Sequence, residues 1–476
     1  MIHYQSIMKT KIYFYFCLSM LFLPGCVVGP KYHRSCSPTP DHWKYEEQEE
    51  IANPDVENWW DIFEDPILNS LELQALGNNQ NLFAALFRVF QAKALADIRK
   101  SDLYPQVNLD PDYNSTNGLI EVFGLPANLP TILRAHQMLY ALPFNLKYEL
   151  DLWGKLKSQY WSSLRQLEAQ EMAFQSSVLI LTSELASTYF QIRSLDAQID
   201  VLKDTIRVRK EEVEVNQERY DAGLVSYIDV SQAERQYQNA NAQYYDVLRQ
   251  RALNENMIAL LIGVPPLDVS IAYSPITEMP PRIPSGIPSE VLLKRPDVRE
   301  AERRSAAEHA LIGAAYASFF PSFTLTNTLG FSSPDLHDFL SGKSRLWAID
   351  VRGTENIYDG GRNISQLRLT WDRFREADAH YQQQVLIAFE EVESALANLK
   401  LQGEEIHSLE KAVAASRETT QLSNDRYSEG VINYLEVVDS ERAELELKRD
   451  LVNRIGRQYV STIHLIKAIG GLWTLP

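Results

Sequence analysis

The chain has 476 residues and a formal net charge of −17, from 63 acidic and 46 basic side chains. That length allows more than one domain. The acidic balance argues against nucleic acid as a partner, because phosphate binding needs a basic face, and it reads first as a solvated acidic surface.

The first element is a targeting segment. Lys9 and Lys11 precede an apolar run from Ile12 to Leu23, followed by Pro24-Gly25-Cys26. A basic region before a short apolar run makes residues 1–25 a signal peptide, with Met8 a plausible start. Leu23-x-Gly25-Cys26 looks like a bacterial lipoprotein signal, which would make Cys26 the acylated first residue of the mature chain. Pro24 departs from the small residue expected there, and the competing reading is an ordinary signal with an incidental cysteine. Of the three cysteines, Cys17 leaves with the signal and Cys26 carries lipid. Cys36 then has no partner in the chain, so no structural disulfide is expected.

Residues 26–105 form the mature N-terminus and a first helical region. Two strand-like runs follow within 106–151: Gln106–Asn117, and Tyr140–Tyr148, where Tyr, Leu, Phe, Leu and Tyr share one face. Period-two alternation fits a half-buried strand or one facing lipid. Within residues 152–263, the stretch from Lys155 to Ile262 lacks helix breakers except at Gly223. There is no Gly or Pro from Lys155 to Ala222, nor from Leu224 to Ile262. As one helix, the first arm would extend roughly 100 Å at ~1.5 Å per residue. Leu185, Tyr189, Ile192, Ile199, Leu202, Ile206 and Val213 keep the 3-4-7 spacing of a helical seam. Gly223 sits where the arm must reverse, since Gly takes positive φ without a Cβ clash.

The second half repeats this order. A linker and helix occupy 264–321. Strand-like runs at Ser322–Phe331 and Arg345–Tyr358 fall within 322–360, and Trp347, Ile349 and Val351 share a face. Residues 361–476 hold a second hairpin, with Gly403 inside its first arm, Gly430 at its tip and a seam along Val385, Val392, Leu396, Leu399, Ile406, Leu409 and Val413. The repeat is explicit: Arg219-Tyr220-Asp221-Ala222-Gly223 returns as Arg426-Tyr427-Ser428-Glu429-Gly430, at a spacing of 207 residues. Gly154-Lys155, Glu234-Arg235 and Ile262-Gly263 align with Gly361-Arg362, Glu441-Arg442 and Ile469-Gly470. A period this long is a duplicated half, not a solenoid unit. The fold class predicted is mainly α, with long coiled-coil hairpins and a β part of four strands. Four strands cannot close around a pore; three copies would supply twelve.

Several motifs in order now carry a resemblance. Cys26-Val-Val-Gly29-Pro30-Lys-Tyr32, Trp59-Trp60-Asp61-Ile62-Phe63-Glu64-Asp65-Pro66-Ile67-Leu68, Tyr148–Lys155 and Ile357–Arg362 are similar to the TolC-type outer-membrane efflux proteins, in particular their lipoprotein branch (the NodT or OprM type). The resemblance runs from about Cys26 to Leu472. It implies a homotrimer whose twelve-stranded β-barrel crosses the outer membrane and whose α-helical tunnel crosses the periplasm. It also implies a periplasmic adaptor and an inner-membrane pump of RND or ABC type as partners. The function it implies is the exit duct of a tripartite efflux system, lipid-anchored in the bacterial outer membrane.

A conduit needs a wall, a gate and a docking surface. Glu436 and Asp439 stand at i and i+3 just past the second tip, on one side of the helix. Spacing alone favours a solvated helix face; the resemblance implies stacked carboxylate rings at a constriction, which would attract cations. It also implies a latch of Asp229, Tyr427 and Tyr220 between hairpins, a Tyr hydroxyl to carboxylate bond being one form. Packing under a tight turn is the plain alternative for both tyrosines. Where some members carry Arg, this chain has Ile432, which could form an apolar ring instead. Gly223, Leu224, Val225, Gly430 and Val431 are the expected adaptor contact.

No His pair with metal spacing, phosphate loop or Gly-x-Ser-x-Gly elbow occurs, so neither enzyme, metal nor cofactor is expected. Two rivals stay open: the outer-membrane duct of a type I protein secretion system, and a lipid-anchored coiled-coil scaffold without a pore. Absence of amphipathic strands would be the scaffold's mark.

Overall fold

The computed structural model describes residues 27–36, 39–45, 58–121, 132–283 and 294–471. The signal segment and Cys26 lie outside these residues. Two short helices, α1 (Pro66–Asn78) and α2 (Gln80–Ser101), precede three strands, β1 (Gln106–Leu109), β2 (Asp112–Glu121) and β3 (Ile132–Leu150). The first hairpin is α3 (Lys155–Asp221) and α4 (Tyr227–Leu261). A shorter helix, α5 (Pro296–Ala317), leads into β4 (Ser322–Ser333) and β5 (Arg345–Thr354). The second hairpin is α6 (Arg362–Ser428) and α7 (Tyr434–Ala468).

The internal repeat is reproduced most closely in the two hairpins. The two long arms have 67 residues each and the two return helices 35 each. Gly223 and Gly430 both adopt positive φ, 77° and 76°. At each tip the glycine N–H reaches back three residues and the next N–H five, from Leu224 to Arg219 and from Val431 to Arg426, both at 2.8–2.9 Å. These paired bonds satisfy the carbonyls that a helix end leaves free. Ser226 and Asn433 then cap the return helices by accepting backbone N–H bonds. Gly403 does not interrupt α6. A lone Gly costs about 1 kcal/mol against Ala in a helix, which the rest of so long an arm overrides.

The chain divides into two compact units. One comprises residues 1–34, 91–168 and 303–379 and holds the sheet. The other comprises 35–90, 169–302 and 380–476 and holds most of the helical seam. In the second unit Leu185, Tyr189, Ile192, Ile199 and Leu202 are buried, as are Val385, Val392, Leu396 and Ile406. Trp43, Trp59, Leu68, Ile258 and Ile463 complete its main core.

The sheet is antiparallel, with β1 and β2 on one flank of β3, then β4, then β5. It has five strands where the sequence suggested four. The first run splits because Pro111 lacks an N–H, and Pro143 lies opposite the gap. The register continues across the break: Leu109 faces Phe144 and Asp112 faces Ala141. The sheet therefore still makes four passes. The last strand ends at Thr354, short of the expected Tyr358. On β3 Pro143 sits opposite Gly330 of β4, where the backbones approach too closely for a side chain.

Register fixes two unlike faces. Phe144, Leu329 and Trp347 form one row, and Tyr148, Leu325 and Val351 another on the same face. The opposite face aligns Lys147 with Thr326 and Asp350, and Glu149 with Thr324 and Arg352. Across it Asn145 donates to Asp110 and Thr328 to Asn145, both at 2.8 Å. On β5, Trp347 is 72% exposed and Ile349 63%.

Candidate functional site: the hairpin tips

Residues 219–230 and 426–437 build two tips with the same backbone and different surroundings. At the first, the Tyr220 and Tyr227 rings pack 5.5 Å apart and both are exposed. At the second, the equivalent Tyr427 and Tyr434 rings lie 5.4 Å apart, and Tyr434 is buried with Val437, Val438 and Ala233. Ile432 packs against this same cluster, partly buried within the protomer. Leu224, Ile228 and Val431 are exposed, Leu224 at 73%, while Val225 is half-buried.

Glu436 and Asp439 are exposed on α7. Asp439 pairs with Arg442 at 3.4 Å, and the Glu436 N–H is held by the Asn433 cap. Both carboxylates are thus solvated in a single copy.

The structure gives the latch residues different partners. The Tyr427 hydroxyl donates to Asn216 Oδ1 at 3.1 Å rather than to Asp229. The Asp229 carboxylate is engaged by the Ser226 N–H at 3.3 Å, closing a capping box. The Arg219 guanidinium lies 4.7 Å above the Tyr427 ring. Burial raises the Tyr427 hydroxyl above its usual value and the Asp229 charge adds to this, while Arg219 opposes it. Among the contacts described, the Tyr220 side chain carries only the ring contact with Tyr227.

The tyrosine–carboxylate bond between hairpins exists elsewhere. The Tyr434 hydroxyl on α7 donates to Glu212 Oε2 on α3 at 3.1 Å. Arg209, one turn up α3, pairs with Glu212 at 3.0 Å and also with Glu441 of α7. Asn424 of α6 donates to Glu441 at 3.4 Å. The three charged side chains are only 5%, 17% and 10% exposed. Glu441 had surfaced in the sequence only as the repeat partner of Glu234. Nothing in local spacing distinguishes a buried Arg–Glu pair from the many i, i+3 pairs on these helices.

Paired helical hairpins, joined to a sheet with one apolar and one polar face, define a protein of the outer-membrane channel class. The chain belongs to the Outer membrane efflux protein family, whose model matches residues 72–264 and 287–471. It is 32% identical over 479 residues to the toluene efflux pump outer membrane protein TtgF of Pseudomonas putida, covering 98% of each chain. It is 28% identical to the probable outer membrane lipoprotein SilC of Salmonella typhimurium, covering 96% of this chain and 97% of SilC. The outer-membrane channel OprN superposes with a TM-score of 0.86 over 94% of this chain and 99% of that one, at 29% identity.

Proposed function

We infer that the protein is the exit duct of a tripartite efflux system, three copies closing a barrel in the outer membrane and a helical tunnel beneath it. The observation that carries this reading is the sheet. Among the described residues its outer strands, β1–β2 and β5, each have an unpaired edge. A sheet in hydrocarbon must satisfy every backbone group, so an open edge is tolerated only when another chain pairs with it. Four passes per copy give twelve strands, the apolar face toward lipid and the Asn, Thr and Lys face toward water.

The helices support the same assembly. α5, in the second half, packs Val298 and Ala301 on Tyr381 and Val385 of α6. Its first-half counterpart α2 leaves Phe87, Phe90, Leu95 and Ile98 more than half exposed. The contact equivalent to Val298 on Tyr381 and Val385 is made within the copy, by Leu82 with Phe174 and Val178 of α3; the remaining apolar face of α2 is the surface that a neighbouring copy covers.

Cys26 is the lipid attachment residue in this reading. Val27, which follows it, lies against Gly154 at the strand-to-helix junction, where a Cβ would strike the Val27 backbone at 2.8 Å. The residue next to the lipid attachment point is thereby held at this junction. The tips, with Leu224, Ile228 and Val431 outward, are the surface for the periplasmic adaptor, through which an inner-membrane pump delivers small toxic compounds. The Glu436 and Asp439 rings form the selective constriction.

Planar-bilayer recording of the mature protein tests this. Cation-selective steps are expected, with selectivity lost and conductance raised in Glu436→Ala/Asp439→Ala. Steps of unchanged size and selectivity in the double variant would remove the gate from these residues. A membrane-inserted trimer that conducts under no condition, adaptor included, would remove the duct.

A further inference from the structure

Beside the expected latch residues, a buried cluster shared by α3 and α7 holds an unusual charge balance. One guanidinium, Arg209, is buried with two carboxyls, Glu212 and Glu441. The groups facing the Glu441 carboxyl are Arg209 and Glu212 from α3, Asn424 from α6 and, on its own helix, Tyr434. Two ionised carboxylates on one buried cation leave a net negative charge with little water to screen it, which the site disfavours. With a proton on Glu441 the cluster is neutral, and Arg209, Tyr434 and Asn424 supply donors to the two carboxyls. The repeat shows that this is confined to one tip. The positions equivalent to Arg209 and Glu212 are Ser416 and Thr419, so the other half retains a carboxylate at Glu234 without the cation or the second acid.

We propose that Arg209, Glu212 and Glu441 form a proton-operated lock that fastens the return helix of the second hairpin, α7, to the long arm of the first, α3, just above the tips. The lock stands on the geometry of the protomer; only its effect on conduction rests on the reading of the tips as a gate. Burial and the neighbouring Glu212 push Glu441 up to about 8, against the pull of Arg209. A solvated Glu titrates near 4.3. The sign follows from linkage. The packed tip retains a proton that a released tip gives up, so packing is fully favoured at acid pH. Its advantage is lost progressively as pH rises toward 8. Alkaline conditions release the second hairpin; acid fastens it.

Hydrogen exchange of the full-length mature protein tests the lock, read on peptides covering 205–221 and 424–441 and corrected for base-catalysed intrinsic exchange. Between pH 6 and pH 8 the opening equilibrium of these segments is expected to rise at least about tenfold, as one linked proton allows. Glu441→Gln cannot ionise and should show less than about a twofold change. Glu212→Gln provides the second arm. It leaves Glu441 in a simple pair with Arg209, with burial the one remaining cause that raises it, and should lessen the slope while keeping the tip better protected at pH 8 than in the wild type. A flat wild-type profile overturns the lock, as does a wild-type slope that persists in both variants. Single-channel recordings over the same range separate the two readings. A wild-type exchange slope lost in Glu441→Gln and lessened in Glu212→Gln, with conductance constant in pH, upholds the lock and removes the gate from this tip.

Discussion

Alanine in place of Asp196 is expected to cost about 3–5 kcal/mol of stability, the range for stripping one partner from a buried ion pair. Asp196 is fully buried and accepts from Arg251 at 2.6 Å, from Arg193 at 3.5 Å and from the Ser274 N–H at 3.1 Å. Each arginine also donates to the segment after α4, Arg193 to the Ala272 carbonyl at 2.5 Å and Arg251 to the Ile271 carbonyl at 2.7 Å. One carboxylate therefore orients two guanidiniums that tie a non-helical linker to α3 and α4. Without it Arg193 keeps its charge in a site 4% exposed, while Arg251 keeps Glu255 at 3.0 Å. The check is limited proteolysis across residues 264–283 together with a denaturant midpoint. Cleavage there should rise well before the long helices lose their circular dichroism. A midpoint within 1 kcal/mol of wild type, as a roughly estimated stability change, would deny Asp196 this role.

The second large effect is expected from the smallest change. Gly456→Ala on α7 should destabilise the protein by about 1–3 kcal/mol, although alanine is the better helix former by ~1 kcal/mol. Gly456 faces Ser194 of α3, and an added Cβ falls well inside van der Waals contact of the serine Cβ and Oγ. The two helices are in contact there with no spare volume, and a packed core resists even one added carbon. Removing the opposing side chain should restore the fit. Ser194→Gly alone costs helix propensity, yet combined with Gly456→Ala it should recover most of the loss. Thermal melts of the four proteins form the cycle. Additive losses in the double variant would mean that the crossing is not what Gly456 serves.

The elements were legible because they are written twice and at length. A 67-residue arm without Gly or Pro, ending in a glycine that returns 207 residues later, leaves little freedom in assigning a helix, its stop and its partner. The seam residues were legible for the same reason, since one face must be apolar throughout. The sheet was legible in its faces, and Pro111 marks the break in its first run; alternation carries no record of what lies opposite that break on the neighbouring strand. The tip site was only half legible. Exposed Glu436 and Asp439 follow from helical spacing near a known end. The bond of Tyr427 to Asn216 and the pairing of Arg209 with Glu441 join residues more than 200 positions apart. Each looks locally like any other polar residue on a charged helix. The N-terminal strap is similar: Val27 on Gly154 and Gly29 on Gly313 reveal why those glycines are small only once the chain is folded.

The two bare strand edges also bear on inheritance. A copy whose edge is blocked, by a proline or a misplaced charge, still offers a sound edge on its other side. In the proposed trimer it would therefore recruit normal copies and stall them in rings that never close. Damage of that kind should behave as a dominant trait in cells that also make the intact protein. Loss of the whole chain, by contrast, would be recessive, since an absent copy poisons nothing.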